Sequence, residues 1–409
     1  MKTNTTEPTG RAGVKRRQVL AMAATVAAAS RGGIAHAAEE TIKIAVVAPL
    51  AGAFAASGQD ILEGAKLAAA DINAAGGIKS IGGRMIELVP ADAGQSPEAA
   101  VSAARRALNG QPVAAIGSWY SALTLAATTV AEQKRIPWVT GSVADAIGGR
   151  GFKYVYQISA GSEDSAQGLI DSIGRAAGSE GVRLALMCDN NVANVDIKNF
   201  IKKKLATPVV SDQTWTPPLA DATPVVSAVM QTTPNVIYLG ATSTSDQTLV
   251  IKQLAAQGSK ALILLGASSG ANPALLESVG AKGMEGVLVV TGVSFPGKGT
   301  EAIDRRYAEA TKHAFMDCEA MTGYMNITIL SQALEQAGKA EPEALNQALK
   351  TLDLRDVPSL SLLPGGNRLR FGANGRREGV VVELVQWQDG RPRVVHPPEV
   401  ANGTLKRKA

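Results

Sequence analysis

Short apolar runs alternate with amphipathic stretches along most of the chain. Ile42–Ala48 is almost entirely apolar and predicts a strand buried on both faces, whereas residues 60–75 carry apolar positions with the period of a helix that Gly76 and Gly77 end. The same succession predicts further strands at 85–89, 113–116, 136–140, 154–158, 183–188, 209–214, 236–240, 261–265, 286–291, 368–371 and 380–388, and helices at 96–108, 122–134, 164–177, 196–205, 223–231, 246–257, 273–279, 300–314, 320–336 and 342–352. Alternating strands and helices are typical of parallel sheets covered on both faces, so we predict an α/β fold with two such units.

Residues 113–143 predict a strand, a loop, a helix, a second strand and a second loop. Both loops, around Trp119 and Gly141, follow the carboxyl ends of neighbouring parallel strands, where open α/β sheets bind ligands. Ser121 stands just before the predicted helix, where a serine hydroxyl either caps the helix or contacts a small anion. On these residues alone, both roles remain open.

Polar loops also follow predicted strands of the second unit, at residues 190–194, 242–245 and 268–270. Such loops are often merely solvated, but these share one sheet edge because their strands are parallel. Two sheets that present polar edges to each other form an interlobe cleft. Asn191 and Thr242 are therefore candidate ligand contacts.

The first 37 residues have the features of an export signal. Lys15, Arg16 and Arg17 precede an alanine-rich apolar run too short to span a bilayer, and residues 35–37 form a small-x-small cleavage site. The arginine pair resembles a twin-arginine signal. No cysteine lies near residue 37, so we expect a soluble periplasmic protein without a lipid anchor.

Charge and motifs exclude several other classes of function. Residues 1–37 hold six of the 41 basic and one of the 36 acidic residues, so the remainder is balanced at 35 of each and gives no indication of a nucleic-acid partner. The sequence has no dinucleotide or nucleoside-triphosphate motif, and its histidines lack neighbouring metal ligands, so we expect no cofactor and no metal. Cys188 and Cys318 fall in different predicted lobes, and we expect separate thiols.

Residues 266–270, Gly-Ala-Ser-Ser-Gly, fit the Gly-x-Ser-x-Gly motif of serine hydrolases. The helix after such a nucleophile starts at the serine, whereas Asn272 and Pro273 mark the helix start here. A polar loop that faces the cleft is the main interpretation, and an exported hydrolase with Ser268 as nucleophile is a remote alternative.

Four segments resemble the periplasmic solute-binding proteins of branched-chain amino acid importers. They are IKIAVVAPLAG at 42–52, EGAKLAAADINAAGGI at 63–78, IGSWYSALTLA at 116–126 and GFKYVY at 151–156. The resemblance extends from about residue 42 to 387 and implies two Rossmann-like lobes, joined by three hinge crossings, that close on a small ligand. By this pattern lobe 1 is 42–161 plus 291–357, lobe 2 is 162–290 plus 358–395, and 396–409 is a disordered tail.

The resemblance also implies ligand contacts. Ser121 takes the place of the serine that holds the ligand carboxylate, and Gly141, Ser142 and Val143 form the next loop, where a threonine hydroxyl is lost at Val143. The acid that pairs with the ligand ammonium in the family would align with Ser268, so this charge is missing. Three small residues would align with aromatic positions of the family's pocket: Ser57, Ala193 and Thr242. The remaining aromatic candidates are Phe54, Trp119 and Tyr120.

A buried ammonium without a carboxylate costs several kcal/mol, so the missing acid disfavours an ordinary α-amino acid. We therefore predict a carboxylate or other polar small molecule without an α-ammonium, with an aromatic ligand able to stack on Trp119. Asp189 or Asp246 would restore amino-acid binding if either carboxylate reached the ligand.

The resulting hypothesis is a periplasmic ligand-binding component of an ABC importer, without enzyme activity of its own. By the family resemblance it is expected to be a monomer that delivers its small-molecule ligand to a membrane permease. A ligand-sensing protein of the same fold is the second interpretation.

Overall fold

The computed structural model describes Met1 and residues 41–177, 181–266, 268–292, 300–355, 357–364 and 368–406. Apart from Met1, the predicted export signal at 1–37 lies outside these residues. Within the described ranges, no helix is both long enough and apolar enough to cross a membrane.

Strands and helices alternate as the hydrophobic pattern predicts. The strands of the described residues are β1 Ile42–Ala48, β2 Ile86–Asp92, β3 Ala114–Gly117, β4 Trp138–Thr140, β5 Val155–Gln157, β6 Leu184–Asp189, β7 Val209–Trp215, β8 Val236–Gly240, β9 Leu262–Leu265, β10 Leu288–Thr291, β11 Asp353–Arg355, β12 Arg368–Arg370, β13 Glu383–Gln388 and β14 Arg391–His396. The helices are α1 Ala55–Ala74, α2 Pro97–Asn109, α3 Ser121–Lys134, α4 Ala146–Gly149, α5 Ser162–Ala177, α6 Val192–Lys204, α7 Thr223–Met230, α8 Thr244–Ala256, α9 Pro273–Val279, α10 Ala281–Met284, α11 Glu301–Thr311, α12 Cys318–Ala337 and α13 Pro342–Thr351.

The first sheet contains β1 to β5 in the order β2-β1-β3-β4-β5, and neighbouring strands are parallel. The register places Ile44 of β1 between Leu88 and Ala114. Lys43 is exposed in β1, whereas every residue of β3 and β4 is buried. Burial on both faces explains why these strands are continuous apolar runs rather than alternating ones.

The second sheet has the order β14-β13-β10-β9-β8-β6-β7. Strands β6 to β10 are parallel, whereas β13 runs antiparallel to β10 and β14 antiparallel to β13. The sequence pattern did not predict β14. Asp389 and Gly390 join it to β13 with φ values of 53° and 73°, the left-handed conformation that tight hairpins use.

We call the first sheet with its helices lobe 1, and the second sheet with its helices lobe 2. Helix α12 belongs to lobe 1, because it packs along α1 and against β3 and β4. The two helices approach closely: a Cβ on Gly64 would lie 1.9 Å from the Ala320 carbonyl oxygen, and one on Gly323 would lie 2.1 Å from that of Ile61. The glycines therefore allow the first turn of α12 to reach the edge of the first sheet.

The described residues pass between the lobes three times, after β5, after β10 and between β12 and β13. The last crossing lies later in the chain than predicted. The prediction places residues 358–395 in lobe 2. β12 instead pairs with β11, and Phe371 packs edge-on against Tyr156 of β5 with ring centroids 5.0 Å apart. The chain enters the second sheet only at β13.

The prediction of a disordered tail at 396–409 is wrong for the residues up to 406, which are hydrogen-bonded to the second sheet. The Asn402 amide donates to the Val394 carbonyl at 3.0 Å. Gln386 Nε2 donates to the Lys406 carbonyl at 2.7 Å, so the segment after β14 is hydrogen-bonded to the second sheet. Residues 407–409 lie outside the described residues.

Candidate functional site

A cleft lies between the lobes, at the carboxyl ends of the parallel strands of both sheets. It contains about 620 Å³ of free space, part of which is open to solvent. Loops of both lobes and the first turns of α5, α6 and α12 contribute to its lining. The lining residues are Trp119, Ser121, Gly141, Val143, Ser159, Ser165, Asn191, Ala193, Asn194, Thr242, Gly266, Val290, Gly292, Cys318, Glu319 and Thr322.

Ser121 is the first residue of α3 and not its cap. Tyr120 occupies the cap position and makes no side-chain capping bond. The buried Ser121 hydroxyl accepts a hydrogen bond from the Ala144 amide at 3.3 Å, in the loop after β4. Of the two roles left open by the sequence, capping is therefore wrong, and the hydroxyl is positioned at the cleft that Ser121 lines.

Ser142 holds the loops after β3 and β4 together rather than lining the cleft. Its hydroxyl oxygen lies 2.6 Å from the Ser118 carbonyl oxygen and 2.9 Å from that of Trp119. Thr124 Oγ1 in α3 is also 2.6 Å away. This buried network ties both loops to α3 and keeps Trp119 in place.

Gly141 marks the point where the loop after β4 touches α12. A Cβ there would lie 2.3 Å from Thr322 Cγ2 and 3.2 Å from Ser159 Oγ. All three residues line the cleft. A side chain at position 141 would therefore displace the wall of the cleft.

Phe54 and Tyr120 stack on each other, with ring centroids 4.4 Å apart and an interplanar angle of 26°. Both rings are buried, as is Ser57, and none of these three predicted contacts is among the lining residues. Their apolar contacts support the walls from behind. Trp119 is the predicted aromatic contact that does line the cleft.

Asn191, Asn194 and Thr242 form the polar wall of lobe 2 around the buried carboxylate of Asp189. This carboxylate accepts from Asn194 Nδ2 at 2.7 Å, from the Thr242 amide at 2.7 Å and from the Asn191 amide at 3.0 Å. Burial raises the pKa of Asp189, and these hydrogen bonds oppose the shift. Asp189 is thus engaged within lobe 2, whereas Asn191 Oδ1 is buried without a partner among the described residues.

Asp246, the other acid considered for ligand binding, is also engaged within lobe 2. It accepts from Trp215 Nε1 at 2.9 Å and from the Leu219 amide at 3.0 Å. The Ser268 side chain lies outside the described part of the chain. A short 3-10 helix covers Ser268–Ala271, and helix α9 begins after it at Pro273 with Asn272 as its cap, as the sequence predicted.

Glu319, on the first turn of α12, is a lining residue that the sequence reasoning missed. Its side chain is 1% exposed, and neither carboxylate oxygen has a hydrogen-bond partner among the described residues. Burial and then the charge of Asp60 raise its pKa, and the side chains of Asp317 and Trp119 oppose the shift. An acid just before a predicted helix is an ordinary helix-start residue, so no local pattern indicated that this one faces the cleft.

Asn272 connects the lobes beside Glu319. Its Nδ2 group donates to Asp60 Oδ2 of α1 at 3.0 Å and to Asp317 Oδ2 at the start of α12. Its Oδ1 atom accepts from the Ala274 amide at 2.8 Å and so caps α9. We call Asn272, Asp60 and Asp317 the interlobe latch, because these hydrogen bonds form only when the two lobes are close.

The structure offers no grouping of three or more His, Cys, Asp or Glu side chains suited to a metal ion within its described ranges. Cys188 and Cys318 are both buried free thiols. Burial raises the pKa of Cys188 to about 11, so this thiol is unreactive at neutral pH.

Comparisons with known proteins agree with this geometry. A family model described as periplasmic binding protein matches residues 41–391. The chain is 25% identical over 410 residues to the Leu/Ile/Val-binding protein homolog 8 of Brucella abortus, which covers 95% of this chain and 98% of the relative.

Two solved structures share the fold. The branched-chain amino acid transporter substrate-binding protein LivJ of Streptococcus pneumoniae, in complex with isoleucine, has a TM-score of 0.75 and 18% identity over 88% of this chain and 100% of its own. A solute-binding protein of an ABC transporter from R. palustris, in complex with benzoate, has a TM-score of 0.75 and 17% identity over 90% of this chain and 99% of its own.

Proposed function

The chain belongs to the periplasmic binding protein family, and we propose that it is the periplasmic component of an ABC importer that binds a small carboxylate between its lobes. The family consists of ligand-binding proteins and not of enzymes, which argues against the hydrolase alternative. The observation that carries the proposal is the interlobe cleft, to which both sheets contribute polar loops. A ligand enclosed there would contact both lobes and favour their closure.

Ser121 and the start of α3 are the proposed carboxylate site. The first amides of a helix have no partner within it and carry a partial positive charge, which suits a carboxylate. The Ser121 hydroxyl lies at this helix start and lines the cleft. Isoleucine and benzoate, the ligands of the two similar structures, both carry a carboxylate.

The importer assignment implies a membrane permease as partner. We propose that the closed, ligand-bound form docks on this permease as a monomer, and that the chain reaches the periplasm through the signal at residues 1–37. The closed form would present surfaces of both lobes together. A permease can therefore distinguish a loaded protein from an empty one.

A thermal-shift screen tests this function. A ligand that binds only the folded protein raises the midpoint of unfolding by mass action. The purified protein would be screened against aliphatic acids, aromatic acids, amino acids, amides and sugars. We expect shifts with carboxylates, and calorimetry of Ser121→Ala should show affinity about ten- to 100-fold weaker, the value of one hydrogen bond to a charged group.

Ser361→Ala is a suitable control, since the Ser361 hydroxyl donates to the Pro358 carbonyl outside the cleft. It should bind like the wild-type protein. Shifts with sugars or amides and none with any carboxylate would contradict the carboxylate site, as would full affinity in Ser121→Ala.

A further inference from the structure

Resting on the proposed function, we infer that Glu319 determines ligand specificity by pairing with a protonated amine of the carboxylate ligand, beside the ring of Trp119. The ligand would then be a zwitterion. This assignment reverses the expectation drawn from Ser268, because the acid comes from α12 of lobe 1 and not from the loop after β9.

Glu319 is the acid in the cleft that remains available to a ligand. Both of its oxygen atoms are buried and lack a partner among the described residues. The carboxylate of Asp189 instead accepts three hydrogen bonds from lobe 2, and that of Asp246 accepts two. A buried acid without hydrogen bonds is costly, and a ligand donor would remove this cost.

The charge of the cleft favours a cation at this position. Among the described lining residues there is no lysine, arginine or histidine. A ligand with only a carboxylate would leave Glu319 protonated and would place its own negative charge in a buried site without a basic side chain. An amine on the ligand pairs with Glu319 and leaves its carboxylate to Ser121 and the start of α3.

Trp119 strengthens the cation site. The indole lines the cleft, and its side chain is close enough to Glu319 to affect the pKa of that carboxyl. An ammonium group in contact with both would gain the ion pair and the attraction of the indole face.

The two charged contacts of a zwitterion would lie in the same lobe. Ser121 begins α3, and Glu319 lies in the first turn of α12, which packs against β3 and β4 of lobe 1. Lobe 2 contributes neutral polar groups, among them Asn191, Asn194 and Thr242. The ligand would therefore bind first to lobe 1 of the open protein, and lobe 2 would close over it.

Pairing with an amine has a consequence for proton balance. The acids beside Glu319 are Asp60 of α1 and Asp317, the cap residue of α12, and Trp119 also faces the carboxyl. Asp60 in turn contacts Tyr307 and His313. Burial and the charge of Asp60 favour the protonated form of Glu319 in the empty cleft. An ammonium ligand ionises the carboxyl, so that one proton leaves Glu319 for solvent as the ion pair forms.

Matched pairs of ligands provide the test. Leucine and 4-methylpentanoate share a carbon skeleton and a carboxylate, as do phenylalanine and 3-phenylpropanoate, and in each pair the amine alone differs. Calorimetry with the wild-type protein, in phosphate and in Tris, gives the affinity and the number of protons released. Glu319→Gln keeps the shape of the side chain, and Glu335→Gln on the same helix is the control, because Glu335 accepts from the Lys79 and Ser80 amides away from the cleft.

We expect an amine-bearing member to bind at least tenfold more tightly than its partner, with proton release and with affinity that rises with pH. Glu319→Gln should abolish the release and reduce the preference at least tenfold, whereas Glu335→Gln should change neither. If the acids without an amine bind more tightly than their amino-acid partners, and Glu319→Gln binds them with the wild-type affinity, the role of Glu319 is wrong. The carboxylate-binding function would still hold in that case. Failure of every acid and amino acid to bind would contradict both.

Discussion

Removal of the interlobe latch should open the protein and weaken ligand binding. Asn272→Ser is the informative change, because serine caps helices about as well as asparagine and so preserves the start of α9. It removes the Nδ2 group that donates to Asp60 at 3.0 Å and to Asp317. The substitution therefore affects the contact between the lobes and not the helix.

The expected magnitude follows from the charge of Asp60, because burial and the charge of Asp60 raise the pKa of Asp317 well above its ordinary value and favour its neutral form. A hydrogen bond to a charged group contributes about 1.5–3 kcal/mol relative to its hydrated state. We count one such bond, because the space left by the smaller side chain admits a water molecule that can serve the other carboxylate. Since closure and tight binding are coupled, the affinity should fall about ten- to 100-fold.

Calorimetry with the tightest ligand of the carboxylate and amino-acid panel measures this loss. Small-angle scattering of the ligand-free variant should show a larger radius of gyration than that of the wild-type protein. Asn272→Ala, which also loses the cap bond to the Ala274 amide, should be less stable by about 1 kcal/mol more. An affinity within twofold of wild type, with an unchanged radius, would refute the idea that Asn272 stabilises the closed form.

Two further predictions concern the walls of the cleft. Gly141→Ala places a Cβ 2.3 Å from Thr322 Cγ2, so ligand affinity measured by calorimetry should fall at least tenfold. Adding Thr322→Ser, which removes that methyl group, should restore most of the affinity. Failure of this rescue would show that the contact is not the cause of the loss. Burial and Asp60 raise the pKa of Glu319 above its ordinary value of 4.5, so the contribution of Glu319 to the stability of the ligand-free protein is fully present below that ordinary value and is lost as the pH rises through the raised pKa. In thermal melts between about pH 5 and 9, Glu319→Gln should lose less stability than the wild type as the pH rises, and parallel curves would contradict the buried acid.

Local patterns were sufficient for most strands and helices. Residues 42–48, 236–240 and 273–279 were predicted with the bounds that β1, β8 and α9 have. Buried parallel strands are apolar on both faces, and a proline after a capping residue marks a helix start, so both signals lie within a few residues. The same signals also predicted which loops reach the cleft, including those of Trp119 and Thr242.

Close packing between distant segments was the main source of error. Helix α1 begins at Ala55, before the predicted start at residue 60, and its first turn includes Gly58, where a Cβ would lie 1.7 Å from the Pro49 carbonyl oxygen. Ser121 was expected as a possible cap, but its hydroxyl bonds to the Ala144 amide 23 residues later. Neither contact leaves a trace in hydrophobic periodicity.

The sequence by itself determined the α/β architecture, the family and the loops that face the cleft, because burial on a sheet or a helix acts on neighbouring residues. The tertiary structure alone decided which polar groups satisfy one another. Asn272 meets Asp60 across 212 residues and Asp317 across 45, and Asp189 is engaged by lobe 2, while Glu319 keeps both oxygen atoms unpaired. Such pairing depends on how the two lobes pack in space, and this determines which acid remains for a ligand.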